Sequence, residues 1–337
     1  MKALVVIAPN QILFKDVDIP IFDRDQVLVE VKYSMMCSSD VKLIKGQFHG
    51  LKYPIIPGHE WSGKVVDATP NHKHLIDKKV VVDILSPCLT CEQCRRGRRN
   101  LCANLNEIGI NLNGGYAEYI AVNVKNVIPI SDDISYKDAC IIEPLAVVYN
   151  AIQKVCVKPA EKVTILGAGA IGLILISLMK LSGATEILVS DYIPERLEKA
   201  KKLGATKIIN AGQQSLTKII QDNRDIMPDV VFDATGSSEA FGIALEIIKP
   251  GGRIGYIGYS AYDKISIQPS LIMLKELKIF GVLSPTETWL QSVSLMEKKM
   301  IAVSELITHE YSIEQYQNLF SIMSEKSDGI IRGVFKF

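Results

Sequence analysis

Two hydrophobic patterns divide the chain near residue 145. Before that point, short runs of alternating apolar and polar residues, rich in β-branched side chains, are separated by proline and glycine. This pattern is typical of strands and turns. The strands predicted in this half are residues 4–8, 12–16, 27–33, 63–67, 79–84 and 116–122. Many short strands with irregular loops favour a compact, partly closed β-barrel.

After residue 145, strand-like runs alternate with helical segments. The strands predicted here are residues 163–166, 186–190, 207–209, 230–233, 253–257 and 278–283. A helix is predicted over 194–203 because Gly204 is a typical C-cap, and another over 237–248 because a Lys-Pro-Gly-Gly sequence follows it. This alternation predicts an α/β fold with a Rossmann doubly wound parallel sheet. The C-terminal residues return to a mixed pattern and end on a β-like run, 330–337.

A glycine-rich loop follows the first strand of the second half. It carries Gly167, Gly169 and Gly172 as G-x-G-x-x-G, an apolar segment continues to residue 181, and Asp191 lies 19 residues beyond Gly172. Strand, loop, helix and later acid form a dinucleotide-binding fingerprint, whereas a glycine-rich loop in an ordinary α/β domain is the alternative. The amides at the helix start would face the phosphates. We therefore assign cofactor binding to Gly167, Gly169, Ala170, Ile171, Gly172 and Asp191.

Charge at the end of the second strand favours NAD over NADP. Asp191 would accept hydrogen bonds from the ribose hydroxyls and would repel a 2′-phosphate. Arg196, five residues on, leaves NADP open because a guanidinium could bind that phosphate. Ligands of open α/β sheets bind at the carboxyl ends of strands, which adds Thr235, Ile257 and Leu283 to the expected cofactor site.

Length and composition agree with a globular protein of about two domains. The chain has 337 residues, of which 48% are hydrophobic, and a net charge of +1, so no polyanionic partner is expected. The basic run at 95–99 lacks interleaved aromatic residues, which favours a solvated loop over nucleic-acid binding. No signal peptide is visible, and the longest apolar stretch, 171–181, is too short to span a membrane, so a cytoplasmic protein is expected.

Four of the seven cysteines are closely spaced. Cys88, Cys91, Cys94 and Cys102 follow the pattern C-x2-C-x2-C-x7-C, and four thiolates suit a tetrahedral zinc ion. An iron–sulfur cluster is the rival, although the last gap matches neither common ferredoxin spacing. Four sulfur ligands would leave no open position, so this zinc site would be structural.

A second group of metal-binding residue types is scattered along the half before residue 145. It comprises Cys37, His59, Glu60 and Glu143. Each alone has an ordinary explanation: a core cysteine, a hydrogen-bonded histidine, or a glutamate at a helix N-terminus before Pro144. Spacing alone does not join them.

Taken together, the motifs resemble those of the zinc-dependent medium-chain dehydrogenases over essentially the whole chain, and most resemble the branch of polyol (sorbitol-like), threonine and butanediol dehydrogenases. In chain order they are Cys-Ser-Ser-Asp at 37–40, Gly-His-Glu at 58–60, the four cysteines, Gly-Gly-Tyr-Ala-Glu-Tyr at 114–119, Glu-Pro-Leu at 143–145 and the glycine fingerprint. The resemblance implies a GroES-like catalytic domain over 1–147 with its zinc lobe at 88–102. It further implies an NAD-binding Rossmann domain over 148–285 and a segment, 286–337, that returns to the catalytic domain.

The resemblance also assigns roles around a catalytic zinc. Cys37 and His59 would be ligands, and Glu60 and Glu143 would line the metal, with the choice of direct ligand between them left open. Glu60 is counted with Ser39 among the catalytic residues, and Ser39 would take the proton of the alcohol. Zinc would lower the pKa of that alcohol so that hydride passes to the nicotinamide. Lys42 stands where many members carry a histidine, so the proton exit is either Lys42, the cofactor ribose or water, and an ordinary surface lysine is an equal alternative for Lys42.

The expected protein is therefore a dehydrogenase that uses NAD(H), holds two Zn²⁺ per chain and acts on a secondary alcohol or ketone. The substrate would be a polyol, a sugar alcohol or its phosphate; the alternatives are L-threonine 3-dehydrogenase or 2,3-butanediol dehydrogenase activity and, from another class, a non-catalytic nucleotide-binding or redox-sensing protein. A homodimer or homotetramer without nucleic-acid or membrane partners is implied. The pocket is expected where the two domains meet, and aromatic candidates that are equally typical of core positions are Phe48, His49, Trp61, Tyr119 and Trp289.

Overall fold

The fold is that of a computed structural model, which describes residues 1–48, 50–260, 263–302 and 304–337. The strands are β1 (Lys2–Ala8), β2 (Gln11–Asp16), β3 (Gln26–Met36), β4 (Glu60–Ala68), β5 (Lys79–Val82), β6 (Leu85–Ser86), β7 (Asn106–Glu107), β8 (Tyr119–Asn123), β9 (Val127–Pro129), β10 (Lys162–Leu166), β11 (Glu186–Asp191), β12 (Lys207–Asn210), β13 (Val230–Asp233), β14 (Arg253–Tyr256), β15 (Lys278–Gly281), β16 (Ile307–Ser312) and β17 (Arg332–Lys336).

The helices alternate with strands chiefly in the second half. They are α1 (Ser38–Ile44), α2 (Glu92–Arg95), α3 (Tyr136–Ala139), α4 (Ile142–Val155), α5 (Ala170–Leu181), α6 (Pro194–Leu203), α7 (Leu216–Asp222), α8 (Ser238–Ile247), α9 (Pro269–Leu274), α10 (Trp289–Glu297) and α11 (Tyr316–Glu325). Short 3-10 helices lie at Pro70–Leu75, Arg99–Leu101, Val124–Asn126, Arg224–Ile226, Ser304–Leu306 and Ile313–Gln315.

The chain forms two compact units, which are residues 1–146 with 284–337, and residues 147–283. In the first unit, the main sheet has the order β16-β17-β3-β4-β5-β9, with β8 also paired to β3. The central strand β3 alternates buried and half-buried residues, so Val27, Val29 and Val31 point into a core that also holds Trp61. The C-terminal strand β17 pairs with β3 and thereby joins the last residues of the chain to this unit.

Two strands of this unit are shorter than the sequence pattern predicts. β8 begins at Tyr119 instead of residue 116, because the backbone amide of Tyr116 donates to the carbonyl of Pro57 in a loop contact. β5 ends at Val82 because the buried carboxylate of Asp83 turns the chain by accepting the amide of Leu85. Ile84, Tyr116 and Ala117, which the pattern assigned to these strands, are buried without belonging to one.

The second unit is a doubly wound parallel sheet with the order β12-β11-β10-β13-β14-β15. Its central strands β10 and β13 are short and buried, as expected for a parallel sheet covered on both faces. Helix α6 has the predicted bounds, and Gly204 adopts the left-handed conformation (φ 118°) that a glycine C-cap requires. These features confirm the predicted α/β fold class. No helix among the described residues combines the length and the apolar character that a membrane crossing needs.

Candidate active site and metal centres

The four clustered cysteines lie in a lobe between β6 and β7. Their sulfur atoms all lie within 4.8 Å of one another, and the Cys88–Cys102 and Cys91–Cys102 sulfur distances are 3.4 and 3.9 Å. A tetrahedron of sulfur around zinc at about 2.3 Å places the sulfurs about 3.8 Å apart. The four thiols therefore fit one metal ion, whereas a cluster would distribute them over several iron atoms.

Backbone amides already face these sulfurs. The amides of Cys88 and Asn104 lie 3.2 and 3.3 Å from the sulfur of Cys102, so they can stabilise a thiolate. Hydrogen bonds from the Thr90 backbone and hydroxyl lower the pKa of Cys88 to about 5, while burial raises the pKa of Cys94 to about 12. These shifts favour the thiolate of Cys88 and the neutral thiol of Cys94. A bound cation would favour the thiolate of both residues.

The second group is assembled from two chain segments, at Cys37 and at His59–Glu60. Cys37 is the N-cap residue of α1, directly after β3, and His59 and Glu60 stand at the start of β4, which pairs with β3. The sulfur of Cys37, a ring nitrogen of His59 and a carboxylate oxygen of Glu60 lie within 4.8 Å of one another. The strand pairing thus brings together the residues whose sequence spacing could not connect them.

His59 is held in an orientation suited to a metal ligand. Its Nδ1 atom lies 3.2 Å from the buried Oδ1 of Asp40, at an angle outside hydrogen-bond geometry. The negative charge there favours a proton on Nδ1 and leaves Nε2 as the lone-pair nitrogen. Nε2 is also the nitrogen that lies 3.3 Å from the Ser39 hydroxyl and 4.0 Å from Glu60 Oε1.

Glu60 is paired with a buried arginine from the C-terminal strand. Its Oε1 atom accepts a hydrogen bond from Arg332 at 3.1 Å, and both side chains are almost fully buried. Arg332 also donates to the carbonyl of Met36, beside Cys37. Burial raises the pKa of Glu60 well above its usual value, although the Arg332 charge opposes that rise. The second oxygen of Glu60 is buried without a hydrogen-bond partner among the described residues, which leaves it suitable for a cation.

Charges at this site are already arranged for metal binding. Burial raises the pKa of the Cys37 thiol. The Arg332 charge and a hydrogen bond with His59 lower this pKa by more than burial raises it, so the pKa lies well below its usual value. Burial lowers the pKa of His59, yet the charge of Asp40 and its contact with Cys37 raise it well above the usual range. These directions favour the thiolate of Cys37, which is the form of cysteine that binds a metal ion.

Glu143 lies outside the closest group. It stands in the first turn of α4. This is the helix N-terminal position that the sequence offered as an alternative to a metal-binding role. Burial raises its pKa to about 7, and the charges of His59 and Cys37 shift that pKa in opposite directions. These effects place Glu143 within electrostatic range of the group without placing its oxygen among the closest ligand atoms.

Three residues of this site were not predicted. Asp40 is fully buried, and its Oδ2 accepts the amide of Cys37 at 2.8 Å and the hydroxyl of Tyr116 at 2.7 Å. Arg332 is the third. Asp40 and Tyr116 stood within quoted motifs, and the only sequence signal for Arg332 was a single charge inside an apolar run, between Ile331 and Val334. Pairing of such a charge in the interior is the physical reason for that pattern.

The glycine loop of the second unit has the shape expected of a phosphate site. Gly167 adopts a left-handed conformation (φ 94°), and a side chain on Gly172 would collide with the carbonyl of Gly167. A Cβ atom placed on Gly169 would have, apart from Gly169 and its chain neighbours, no other atom of the described chain within 4 Å. Helix α5 begins at Ala170 and Ile171, and no side chain caps its start. The free amides and the open approach at Gly169 fit a pyrophosphate.

Four of the other predicted cofactor residues lie at or just beyond the carboxyl ends of strands, and the fifth lies in helix α6. In this structure the carboxylate of Asp191 accepts the amides of Ala168 and Ile193, at 2.7 and 2.8 Å. Arg196 is half-buried in the first turn of α6. Thr235 donates its hydroxyl to the buried Asp233 at 2.6 Å. Ile257 follows β14 directly, and Leu283 lies exposed beyond the end of β15.

The candidate pocket aromatics have different surroundings. Trp61 is a core residue of the first unit, and Trp289 is 4% exposed at the start of α10. For these two, the core alternative is the one the structure favours. Phe48 and Tyr119 are half-buried, and His49 lies outside the described residues.

Comparison with known proteins places these features in a family. Residues 23–132 match the family described as the alcohol dehydrogenase GroES-like domain, and residues 170–298 match the zinc-binding dehydrogenase family. A sorbitol dehydrogenase of Bacillus subtilis is 30% identical over 94% of this chain and 92% of its own length. A D-arabitol-phosphate dehydrogenase of Enterococcus avium is 30% identical over 97% of this chain and 96% of its own. An L-threonine 3-dehydrogenase of Shewanella loihica is 30% identical over 98% of both.

Solved structures show the same fold with both dinucleotides. The alcohol dehydrogenase RspB of Escherichia coli, in complex with NADH, has a TM-score of 0.95 at 28% identity and covers 100% of this chain and 99% of that one. A zinc-binding dehydrogenase of Sinorhizobium meliloti, bound to NADP, has a TM-score of 0.94 at 27% identity, with 100% and 99% covered. The two groups of metal-binding residue types, the glycine loop and these similarities agree. The chain belongs to the zinc-dependent medium-chain dehydrogenases, in the branch that contains the polyol and threonine enzymes.

Proposed function

We propose that this protein is an NAD-dependent polyol dehydrogenase, which oxidises a secondary hydroxyl of a polyol, sugar alcohol or sugar-alcohol phosphate to a ketone. The observation that carries the proposal is the group of Cys37, His59 and Glu60 with the Ser39 hydroxyl beside it. Sorbitol and D-arabitol-phosphate dehydrogenases among the relatives support the substrate class.

Two zinc ions would bind per chain. The lobe cysteines would hold the structural ion with four sulfur ligands. Cys37, His59 and Glu60 would hold the other ion and leave one position open, as catalysis requires. Glu143 would line this ion directly or through a water molecule. When bound, zinc supplies the Lewis acidity that lowers the pKa of an alcohol, and the nicotinamide supplies the hydride acceptor.

The chain's own residues orient the metal ligands and move the proton. Asp40 faces Nδ1 of His59 and so directs Nε2 toward the metal position. Arg332 keeps the Glu60 carboxylate in place and offsets its buried charge. The Ser39 hydroxyl, 3.3 Å from Nε2, can accept the proton of an alcohol and pass on its own. Lys42 lies half-buried on the same helix, α1, and is one exit for that proton.

NAD is the proposed dinucleotide. The carboxylate of Asp191 stands at the end of β11, where a 2′-phosphate would meet like charge. The amides that it now accepts fix the carboxylate beside the glycine loop. Arg196 keeps NADP as the alternative. An Asp191→Ser variant tests the choice: NAD preference over NADP, measured as the ratio of kcat/KM values, should fall by about tenfold or more, which is about 1.4 kcal/mol.

A homodimer is the proposed assembly, through the free edge of the second unit's sheet. β15 ends that sheet, and Ile279 on this strand is 37% exposed. Met273 and Leu274, at the end of the preceding helix α9, are 68% and 72% exposed. An exposed apolar edge strand is a typical pairing surface. Light scattering at increasing concentration should give twice the mass of the chain, and Ile279→Lys should shift it toward the monomer.

The substrate is tested by a screen of NAD and NADP reduction over polyols, their phosphates, threonine and 2,3-butanediol. Oxidation of polyols or their phosphates with NAD would support the proposal. Reduction of NAD by threonine alone would instead establish the alternative that the threonine dehydrogenases of Shewanella favour. Metal analysis separates the non-catalytic alternative: about two zinc ions per chain support an enzyme, and one supports a structural site only.

A further inference from the structure

The turn that follows β7, to which no metal role is assigned, passes close behind the Gly58–His59 backbone. Gly109, with φ 83°, lies so close to the Gly58–His59 backbone that a Cβ built on it would be 2.7 Å from the amide nitrogen of His59 and would collide with the Gly58 carbonyl. Glu107, two residues earlier, is the last residue of β7. The backbone contact at Gly109 therefore holds Glu107 in the neighbourhood of the metal ligands.

Backbone hydrogen bonds fix the position of Glu107. Its amide donates to the side chain of Asn111 at 2.7 Å, and its carbonyl accepts the amides of Ile110, Asn111 and Leu112 at 3.1 Å. The following amide, of Ile108, donates to the carbonyl of Ile84. A residue held in this way presents its side chain in a defined direction, as specificity requires.

The Glu107 carboxylate has one polar partner and no cation. Its Oε1 accepts the hydroxyl of Ser284 at 3.0 Å, and within the described ranges no lysine, arginine or histidine lies within 4.0 Å of it. The side chain is half-buried. A half-buried carboxylate without a counter-charge retains acceptor capacity for a further hydrogen-bond donor.

The position of Glu107 relative to the metal-binding group rests on the backbone contact at Gly109. That contact joins the turn after β7 to the Gly58–His59 segment, within the first unit of the chain.

We propose that Glu107, supported by Ser284, is a specificity-determining residue that accepts a hydrogen bond from a second hydroxyl of an uncharged polyol while another hydroxyl is oxidised. The inference rests on the proposed function and narrows it. A negative charge at this position disfavours a phosphate nearby, because like charges without an intervening cation repel. Neutral polyols are therefore the substrate class, ahead of their phosphates.

The alternative is a local structural role, in which Glu107 only anchors Ser284. Two variants distinguish the roles. Glu107→Gln keeps an acceptor oxygen and removes the charge, whereas Glu107→Leu removes both. Glu297→Gln is the matched control, because Glu297 is an exposed glutamate on α10 without an ion pair among the described residues.

The assay compares kcat and KM for sorbitol, sorbitol 6-phosphate and 2-butanol, which has no second hydroxyl, in zinc-loaded protein with NAD. Hydrogen bonds to charged groups contribute about 1.5–3 kcal/mol, so Glu107→Leu should raise the KM for sorbitol by about 10- to 100-fold. The value of kcat/KM for 2-butanol should change less than about twofold in Glu107→Leu, because 2-butanol has no second hydroxyl to lose a hydrogen bond. Glu107→Gln should raise the KM for sorbitol by a smaller factor than Glu107→Leu does. It should also increase the ratio of kcat/KM for sorbitol 6-phosphate to kcat/KM for sorbitol. The control should match the wild type.

Calorimetric titration of sorbitol into the zinc-loaded protein with NADH provides a readout that does not depend on turnover. Binding by the wild type that is lost in Glu107→Leu, with unchanged zinc content and unfolding temperature, supports the inference. Equal losses for all three substrates with a lower unfolding temperature, unchanged sorbitol binding, or no sorbitol binding by the wild type would each overturn it. A wild type that binds sorbitol but oxidises no alcohol would refute the proposed function alone.

Discussion

Removal of one buried hydroxyl tests how the metal ligands are oriented. In Tyr116→Phe the ring remains, with its edge-on packing against Phe335 at 5.2 Å. The variant loses the hydrogen bond to Asp40 at 2.7 Å and a longer contact with the carbonyl of Met35 at 3.5 Å. Both Tyr116 and Asp40 are fully buried. Burial, and then the charge of Asp40, raise the pKa of Tyr116 well above its usual value, so its hydroxyl remains a donor.

The expected magnitude follows from the type of bond. A hydrogen bond to a charged group contributes about 1.5–3 kcal/mol, and Asp40 keeps the amide of Cys37 as a second donor, so we expect a loss of about 2 kcal/mol in the free energy of unfolding. Because Asp40 faces Nδ1 of His59, the affinity of this site for zinc should also fall. Partners one layer behind metal ligands typically contribute 10- to 100-fold in metal affinity, or about 1.4–2.7 kcal/mol.

The assay is competition for zinc between the protein and a chelator, followed with denaturant unfolding of the same samples. Tyr119→Phe is the matched control, because Tyr119 belongs to the same motif and its hydroxyl has no hydrogen-bond partner among the described residues. Tyr116→Phe should lower the affinity of the protein for one of the two proposed zinc ions and leave its affinity for the other unchanged. An unchanged affinity for both ions in a normally folded variant would refute the role of Asp40 in orienting His59.

Three further predictions concern other parts of the molecule. Arg332→Leu leaves the carboxylate of Glu60 buried without its cation, so the free energy of unfolding should fall by about 3–5 kcal/mol in denaturant titrations, and an undiminished stability would contradict the buried pair. Cys102→Ser should reduce the zinc content by about one ion per chain, measured by metal analysis, whereas full zinc content would show that the lobe holds none. Gly169→Ala should fold normally but bind NADH weakly in fluorescence titrations, while Gly172→Ala should also lower the unfolding temperature; the reverse order of stabilities would be inconsistent with the loop geometry.

The fold was largely predictable because its signals are local. β10, β11 and β13 lie within one residue of their predicted bounds, since buried parallel strands are short, uninterrupted apolar runs. Helix α6 ends where Gly204 ends it. The misplaced start of β8 shows the limit of this signal. An apolar residue such as Tyr116 has the same pattern whether it lies in a strand or packs its ring under a loop.

The candidate site was predictable only where a motif carried it. Cys37 and His59 come together through the β3–β4 pairing, which the sequence could not align without the family resemblance. Arg332 reaches Glu60 through the β17–β3 pairing, across 272 residues of sequence. Such long-range contacts leave little trace in one sequence. Glu107 was missed for the opposite reason, because a glutamate at the end of a short strand has a common explanation as a solvated side chain.

The central claim, that Cys37 and its partners hold a catalytic metal for alcohol oxidation, is tested most directly by NADH formation from sorbitol and NAD. Zinc-loaded wild type would be compared with Cys37→Ser protein whose lobe cysteines are intact. We predict NADH formation by the wild type, and a rate at least about a thousandfold lower, or about 4 kcal/mol in barrier, for the variant with about one zinc ion fewer. Equal rates in the two proteins, or no oxidation of any polyol by a wild type that holds both ions, would contradict the account.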